Sequence, residues 1–326
     1  MMRIFIIIFL SSCLLLSCKG NKPDISDINV TIEIQRLDKD MFEKDAASLH
    51  DKYGTFLNYY THDILGIGYY YDTAFEHNRN EFKNAEVVQI AYKDVGEQYP
   101  DLTDLNQKLT TAFKYYKYYF PEKFVPEVYS YISGFNQSIM LTDSVIGVSL
   151  DKYLGAGYKV YDELGFSKYL SRNMTREKIP SDCISTWIGS ECFLDYRKNN
   201  NLLSKMLHEG KILYTTKLML PDEADTLIFG FTADQLKWCN NNEGNMWVHL
   251  IDKKLLFSTD HVMIRKLTED APYTTEFTPE SPGKACNWIG YKIITSYMKK
   301  YPDITLKQLL EDQDFDNILV KSKYRP

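Results

Sequence analysis

The chain alternates between two hydrophobic rhythms. Residues 29–35 (NVTIEIQ) set Val30, Ile32 and Ile34 on one face with polar residues between them, the period of a half-buried strand. From Asp38 the spacing lengthens to that of a helix. Leu37 and Phe42 stand as a hydrophobic staple about its start, and Leu49, Tyr53 and Phe56 continue its apolar side. A second helix is predicted over 104–119, stopping before Pro121. Two segments, 126–135 and 144–150, are rich in β-branched and aromatic residues between turn formers and predict strands. Helical spacing returns over 181–196 and 201–220, the latter closed by Pro221. A short strand is predicted at 226–231, then helices at 232–241 and 243–253. The final predicted helix has Ser281 as its cap, Pro282 in its first turn, Lys299-Lys300 at its end and Pro302 beyond. Its stripe is Ile289, Ile293 and Tyr297, widened by Ile294 and Met298. With no internal repeat or low-complexity linker, the pattern predicts an α+β fold: a mostly helical single domain with a small sheet.

The N-terminus follows a different rule. Met1-Met2-Arg3 precede an apolar run from Ile4 to Leu16, interrupted only by Ser11, Ser12 and Cys13. This is the shape of a secretory signal peptide, and it falls short of the roughly 20 apolar residues that span a bilayer. Leu15-Leu16-Ser17-Cys18 resembles the lipobox of bacterial lipoproteins, whose cysteine thiol receives diacylglycerol and whose small preceding residue fits the signal peptidase. The alternative box at Leu10–Cys13 leaves too short an apolar core. The chain then divides into a signal peptide at 1–17, a polar, flexible lipidated tether at 18–27 and a globular domain at 28–326. Buried acyl methylenes contribute about 0.8 kcal/mol each, so three chains on Cys18 hold the protein at the membrane. Lys19, where aspartate signals inner-membrane retention, favours the outer membrane.

Charge and composition narrow the partners. The net charge of −6 comes with acidic and basic residues interspersed, and no basic stripe marks a nucleic-acid surface. Tyrosine is abundant, 25 residues beside 17 Phe and four Trp, with clusters at Tyr59-Tyr60, Tyr69-Tyr70-Tyr71 and 115–120. Such clusters suit either half-buried packing or a carbohydrate-binding surface. Beyond Cys13 and Cys18 the cysteines are Cys183, Cys192, Cys239 and Cys286, with no C-x-x-C spacing for a zinc knuckle or a thioredoxin-type site. Cys183 and Cys192 lie too far apart along one predicted helix to bond each other.

His208-Glu209-Gly210-Lys211-Ile212 is the segment nearest to a catalytic motif. In H-E-x-x-H, two histidines four apart on one helix face hold zinc and the glutamate activates water. Here Ile212 occupies the second histidine position, and one histidine cannot supply the three protein ligands of a catalytic zinc. The predicted buried stripe is Leu203, Met206, Leu207, Gly210 and Tyr214, with Glu209 on its flank and His208 about 100° further round. No G-x-S-x-G or phosphate-binding loop occurs, so no catalytic residue, metal ligand or cofactor is assigned.

Several stretches resemble the gliding motility lipoprotein GldB family. They are 201–221 (NLLSKMLHEGKILYTTKLMLP), 231–247 (FTADQLKWCNNNEGNMW), 281–298 (SPGKACNWIGYKIITSYM) and the terminal 322–326 (SKYRP). Upstream, 34–42 (IQRLDKDMF) and 132–135 (ISGF) add to the likeness. The resemblance marks Glu209, Gly210, Lys211, Asn242, Glu243, Trp247, Pro282, Gly283, Trp288 and Gly290 as family-motif residues, with departures at Ala285 and Cys286. It also implies a degenerate zincin-like peptidase scaffold. In it Glu209-Gly210 matches the second helix of a zinc peptidase, and 181–192 (SDCISTWIGSEC) stands without histidine where the metal-binding helix belongs. The expectation is a non-catalytic envelope lipoprotein, not an enzyme, with the membrane and envelope proteins as partners and no nucleic acid. The alternatives are a divergent metallopeptidase using Glu209, Glu191 or Glu243, and a glycan-binding lipoprotein.

Overall fold

The computed structural model describes residues 22–326 except 193, 196 and 197. The predicted signal peptide, Cys13, Cys18 and Tyr196 therefore lie outside the described residues. Four strands, β1 Gln35–Arg36, β2 Glu127–Tyr131, β3 Ile139–Leu141 and β4 Val145–Ser149, form one sheet in the order β1-β2-β4-β3. β1, β2 and β4 are parallel, and β3 runs antiparallel to β4. Alternation along the strands sorts side chains between two faces. On one face Tyr129 and Tyr131 meet Tyr53, Phe56 and Tyr60; on the other Val128, Ile132, Ile146 and Val148 enter the main core. Burial on both faces accounts for the unbroken burial of β4. Only glycine fits at position 147, because a Cβ there would lie 2.8 Å from both Phe56 Cζ and Tyr131 Cε1.

Helices wrap the sheet and build the rest of the core. α1 Leu37–Glu43, α2 Ala46–Asn58 and a wide turn over Tyr59–Ile64 come first, followed by α3 Phe75–Asn84, α4 Glu86–Gln98 and α5 Thr103–Tyr119. After β4 come α6 Lys159–Glu163, α7 Lys168–Ser171, α8 Ile179–Glu191 and α9 Leu202–Met219. The C-terminal part holds α10 Asp225–Phe229, α11 Ala233–Asp252, α12 His261–Thr268, α13 Ala285–Lys300, α14 Leu306–Glu311 and α15 Phe315–Ser322. α9 is the hub, touching α5, α8, α10, α12, α13, α14 and α15. The fold is thus the mostly helical α+β domain with a small sheet that the pattern predicts. No helix among the described residues is long and apolar enough to cross a membrane.

Several boundaries differ from the pattern, each for a physical reason. Residues 29–34 keep the expected alternation of burial, but only Gln35–Arg36 pairs in the sheet. The N–H groups of Ile32 and Ile34 donate instead to Thr110 Oγ1 and Asn106 Oδ1 of α5, at 2.9 and 3.0 Å. Period-two burial reports which face is covered, not what satisfies the backbone. The helix expected from Asp38 through Phe56 breaks in two, with Asp45 accepting from the Ser48 N–H at 2.9 Å to start α2. The strand expected at 226–231 is helix α10, ended by Gly230 at φ 67°. Six residues are too few for period to tell strand from helix.

The helices expected at 232–241 and 243–253 are one helix, α11, begun by a Thr232–Gln235 capping box. Its Asn240-Asn241-Asn242 run does not break it. Ser281 does not cap α13: its Oγ accepts from the Thr274 N–H at 3.1 Å, and the helix opens after Lys284, which is left-handed at φ 51°. Of the tyrosine clusters, Tyr60, Tyr115 and Tyr116 are core residues, whereas Tyr59, Tyr71 and Tyr118 are exposed. Lys22 pairs with Asp222, and Ile25 is half-buried against the core.

Candidate functional site

The motif residues of α9 and α13 meet where these helices cross. A Cβ on Gly210 would stand 2.4 Å from the Gly290 carbonyl carbon, and one on Gly290 only 1.9 Å from the Met206 carbonyl oxygen. No other residue allows backbones this close. The crossing fixes the rotation of α9 and so determines where Glu209 and Lys211 point.

Lys211 is fully buried, its Nζ donating to the Asp312 carbonyl and lying 4.7 Å from the centre of the Phe315 ring. Burial pushes its ammonium below the usual lysine range. It ties α9 to the α14–α15 connection. His208 is also buried, which corrects the narrow stripe expected for α9. The helix is enclosed nearly all round because neighbours pack on every side. His208 Nδ1 lies 3.5 Å from Cys192 Sγ. Burial holds the imidazole down at about 4 and pushes the Cys192 thiol up to about 11, so both are neutral near pH 7. A neutral, enclosed thiol is no nucleophile.

Glu209 faces a different space. It lines a cleft of about 210 Å³ whose walls come from α8, α9, α10 and the start of α13. α8 supplies Asp182, Ser185 and Thr186, and α9 adds Ile212 and Leu213. Ile228 and Phe229 of α10, with Phe231 beyond it, form the apolar floor, and Lys178, Lys284 and Asn287 complete the rim. The charges are paired within the walls. Lys205 Nζ reaches Glu209 Oε1 at 2.8 Å, and Lys178 Nζ reaches Asp182 Oδ1 at 2.7 Å. Tyr153 donates its hydroxyl to Asp182 Oδ2 at 2.9 Å, and Lys284 Nζ lies 2.9 Å from Asp270 Oδ1. Asn287 donates to the Thr268 carbonyl at 3.1 Å, while its Oδ1 is buried without a hydrogen-bond partner among the described residues. No group of three or more His, Cys, Asp or Glu among the described residues is arranged to hold a metal ion. The cleft can hold an apolar side chain beside polar and charged groups. His208 is not among its lining residues.

The remaining motif residues brace this frame. Glu243 on α11 accepts from the Tyr324 hydroxyl at 2.8 Å and lies 3.3 Å from Lys292 Nζ of α13. Trp247 meets the Tyr324 ring edge-on at 5.2 Å, which fastens the C-terminal segment to α11. Asn242 donates to the Trp238 carbonyl at 2.9 Å. The Pro282 carbonyl accepts from the N–H and hydroxyl of Thr274, at 3.0 and 2.7 Å. A Cβ on Gly283 would fall 2.3 Å from the Ala271 carbonyl oxygen. Trp288 is buried beneath Lys292, whose Nζ lies 5.2 Å from the centre of its ring. Of the ten motif positions named, Glu209 alone lines the cleft, and Cys18 lies outside the described residues. Lys178, Asp182, Lys284 and Asn287 carry no motif spacing. They come together only through the fold, so the sequence held no signal for them.

Residues 18–326 match the family model described as gliding motility protein GldB. No curated protein and no solved structure matches the chain.

Proposed function

The chain belongs to the gliding motility protein GldB family, and from that premise we propose that it is a non-catalytic lipoprotein acting through protein contacts at the α8–α9 cleft. The family is one of gliding motility lipoproteins of the cell envelope. In this reading Cys18 carries the lipid and Lys19 directs the protein to the outer membrane.

The observation that carries the proposal is the donor set around Glu209. A zinc peptidase would face this glutamate with histidines from the preceding helix. Here α8 offers Asp182, Ser185 and Thr186, and Lys178 already neutralises the aspartate. A nearby ammonium opposes a metal cation, and hydroxyls with a lone carboxylate are weak zinc ligands. The shared cleft supports descent from a zincin-like scaffold whose groove is kept for binding. Its apolar floor supports a peptide side chain as occupant.

The test places a photo-crosslinking residue at Leu213, a half-buried cleft position, in cells, and measures metal in protein purified without chelator. The expected result is a discrete crosslinked envelope protein, no stoichiometric zinc and no cleavage of a broad peptide library. One equivalent of zinc, lost together with cleavage on Glu209→Gln, would overturn the proposal and make the chain a metallopeptidase with unusual ligands.

A further inference from the structure

Lys152 is a buried ammonium that no carboxylate contacts; the charge of its neighbour Asp151 acts on it only from a distance. It follows β4 in the turn Leu150–Tyr153 and is 5% exposed. Its Nζ donates to the Phe135 carbonyl at 3.2 Å and lies 3.9 Å from the centre of the Phe166 ring. It forms no ion pair among the described residues. The neighbouring Asp151 carboxylate is taken up by the N–H groups of Ser133 and Phe135 and by the Ser149 hydroxyl. A buried ammonium is costly unless paired, and burial pushes Lys152 below the ordinary lysine range. One carbonyl bond leaves two of its three protons to satisfy.

Lys152 borders a cavity. Lys152, Lys178 and Lys284 line a space of about 270 Å³ together with Asp182 and Asp270. Lys178 is matched by Asp182 and Lys284 by Asp270, at 2.7 and 2.9 Å, so Lys152 is the lysine of this cavity that touches no carboxylate. This cavity shares Lys178, Asp182 and Lys284 with the cleft floored by Ile228, Phe229 and Phe231. A space bordered by an ammonium with no carboxylate in contact therefore adjoins an apolar slot across a wall of three shared residues. The two aspartates disfavour a dianion such as phosphate by like-charge repulsion. A monoanion next to an apolar group fits both spaces.

We propose that these adjoining spaces receive the free C-terminus of a partner protein, its α-carboxylate on Lys152 and its last, apolar side chain against Ile228, Phe229 and Phe231. This rests on the reading of the cleft as a protein-contact site and specifies what enters it.

The test uses the full-length lipidated protein in detergent micelles and fluorescence anisotropy of labelled pentapeptides. The pool ends in Leu, Ile, Val or Phe, prepared as free acids and as C-terminal amides. The free acids should bind at least about tenfold more tightly than the amides, the worth of a charge-assisted hydrogen bond in a half-buried site. Lys152→Met should remove that preference. Leu213→Trp, a change at a half-buried position that fills the slot, should weaken acids and amides alike. It keeps the proposal testable if Lys152→Met fails to fold. Equal binding of acid and amide, no binding by either, or displacement by inorganic phosphate or octanoate as effective as by unlabelled peptide would overturn the assignment. A partner crosslinked at Leu213 alongside any of those results would leave the protein-contact reading standing without the carboxylate.

Discussion

Gly210 and Gly290 meet backbone to backbone where α9 crosses α13, close enough that a Cβ on either would overlap main-chain atoms of the other helix. Backbone cannot move aside as a flexible side chain can, so any larger residue must push the helices apart. Gly210→Ala or Gly290→Ala should destabilise the protein by about 3 kcal/mol or more, at the upper end for overpacking. By thermal melting this is a fall of roughly 5 °C or more. Gly210→Leu should cost more than His208→Ala; equal melting temperatures for those two would remove the packing argument.

This crossing also shows how far the sequence could be read. Gly210 stands out beside an apolar stripe and invites a close approach, but nothing in the one-dimensional pattern says that Gly290 is its partner. The sheet strands Glu127–Tyr131 and Val145–Ser149 were legible because the first holds aromatic and β-branched residues and the second β-branched ones, each between turn formers. The helix at 225–229 was not, because so short a segment, with only Leu227, Ile228 and Phe229 apolar, satisfies either period. The breadth of burial on α9 escaped notice because Lys211 and His208 are polar and yet enclosed. Polarity predicts exposure only where no neighbour supplies a partner. Lys152, Lys178 and Lys284 lie far apart in the chain, and only tertiary structure makes them one cavity.

The anchor assignment rests on Leu15-Leu16-Ser17-Cys18. Only a thiol at that position can accept the diacylglycerol, so Cys18→Ala should leave an unprocessed precursor that takes up no radioactive palmitate. Normal labelling of the variant would move the attachment site elsewhere, with Cys13 as the next candidate.

The C-terminal segment is held by one aromatic and one charged contact. Tyr324 donates to Glu243, which also faces Lys292, and its ring packs on Trp247. Tyr324→Phe removes the hydroxyl from a half-buried carboxylate acceptor and should cost about 1–2 kcal/mol in chemical denaturation. Glu243→Gln should cost a similar amount. The double variant should cost less than their sum, because each single change already breaks the same bond. Strict additivity would mean that Tyr324 and Glu243 do not interact in solution.

His208 makes the stability of the protein depend on pH, with a sign that can be worked out. Burial among α9's neighbours, reinforced by Lys205 and Lys211 and opposed by Glu209, holds the folded imidazole down at about 4. In the unfolded chain a histidine takes up its proton near about 6.5. Above pH 6.5 neither state is protonated, and His208 adds no pH dependence. Between 6.5 and about 4 the unfolded state binds a proton that the folded state refuses, so stability falls as pH drops through that window. Below about 4 both states are protonated and the penalty is constant. At pH 4.5 it amounts to about 2 kcal/mol. Carboxylates titrate in the same range, so the wild-type curve alone cannot isolate it. His208→Gln keeps a polar side chain near Cys192 but cannot take up the proton. The stability difference between wild type and variant, measured by urea denaturation at pH 7.5 and 4.5, should therefore shift by about 2 kcal/mol in favour of the variant at the lower pH. An unchanged difference would mean that His208 is protonated as readily in the folded protein as in the unfolded chain.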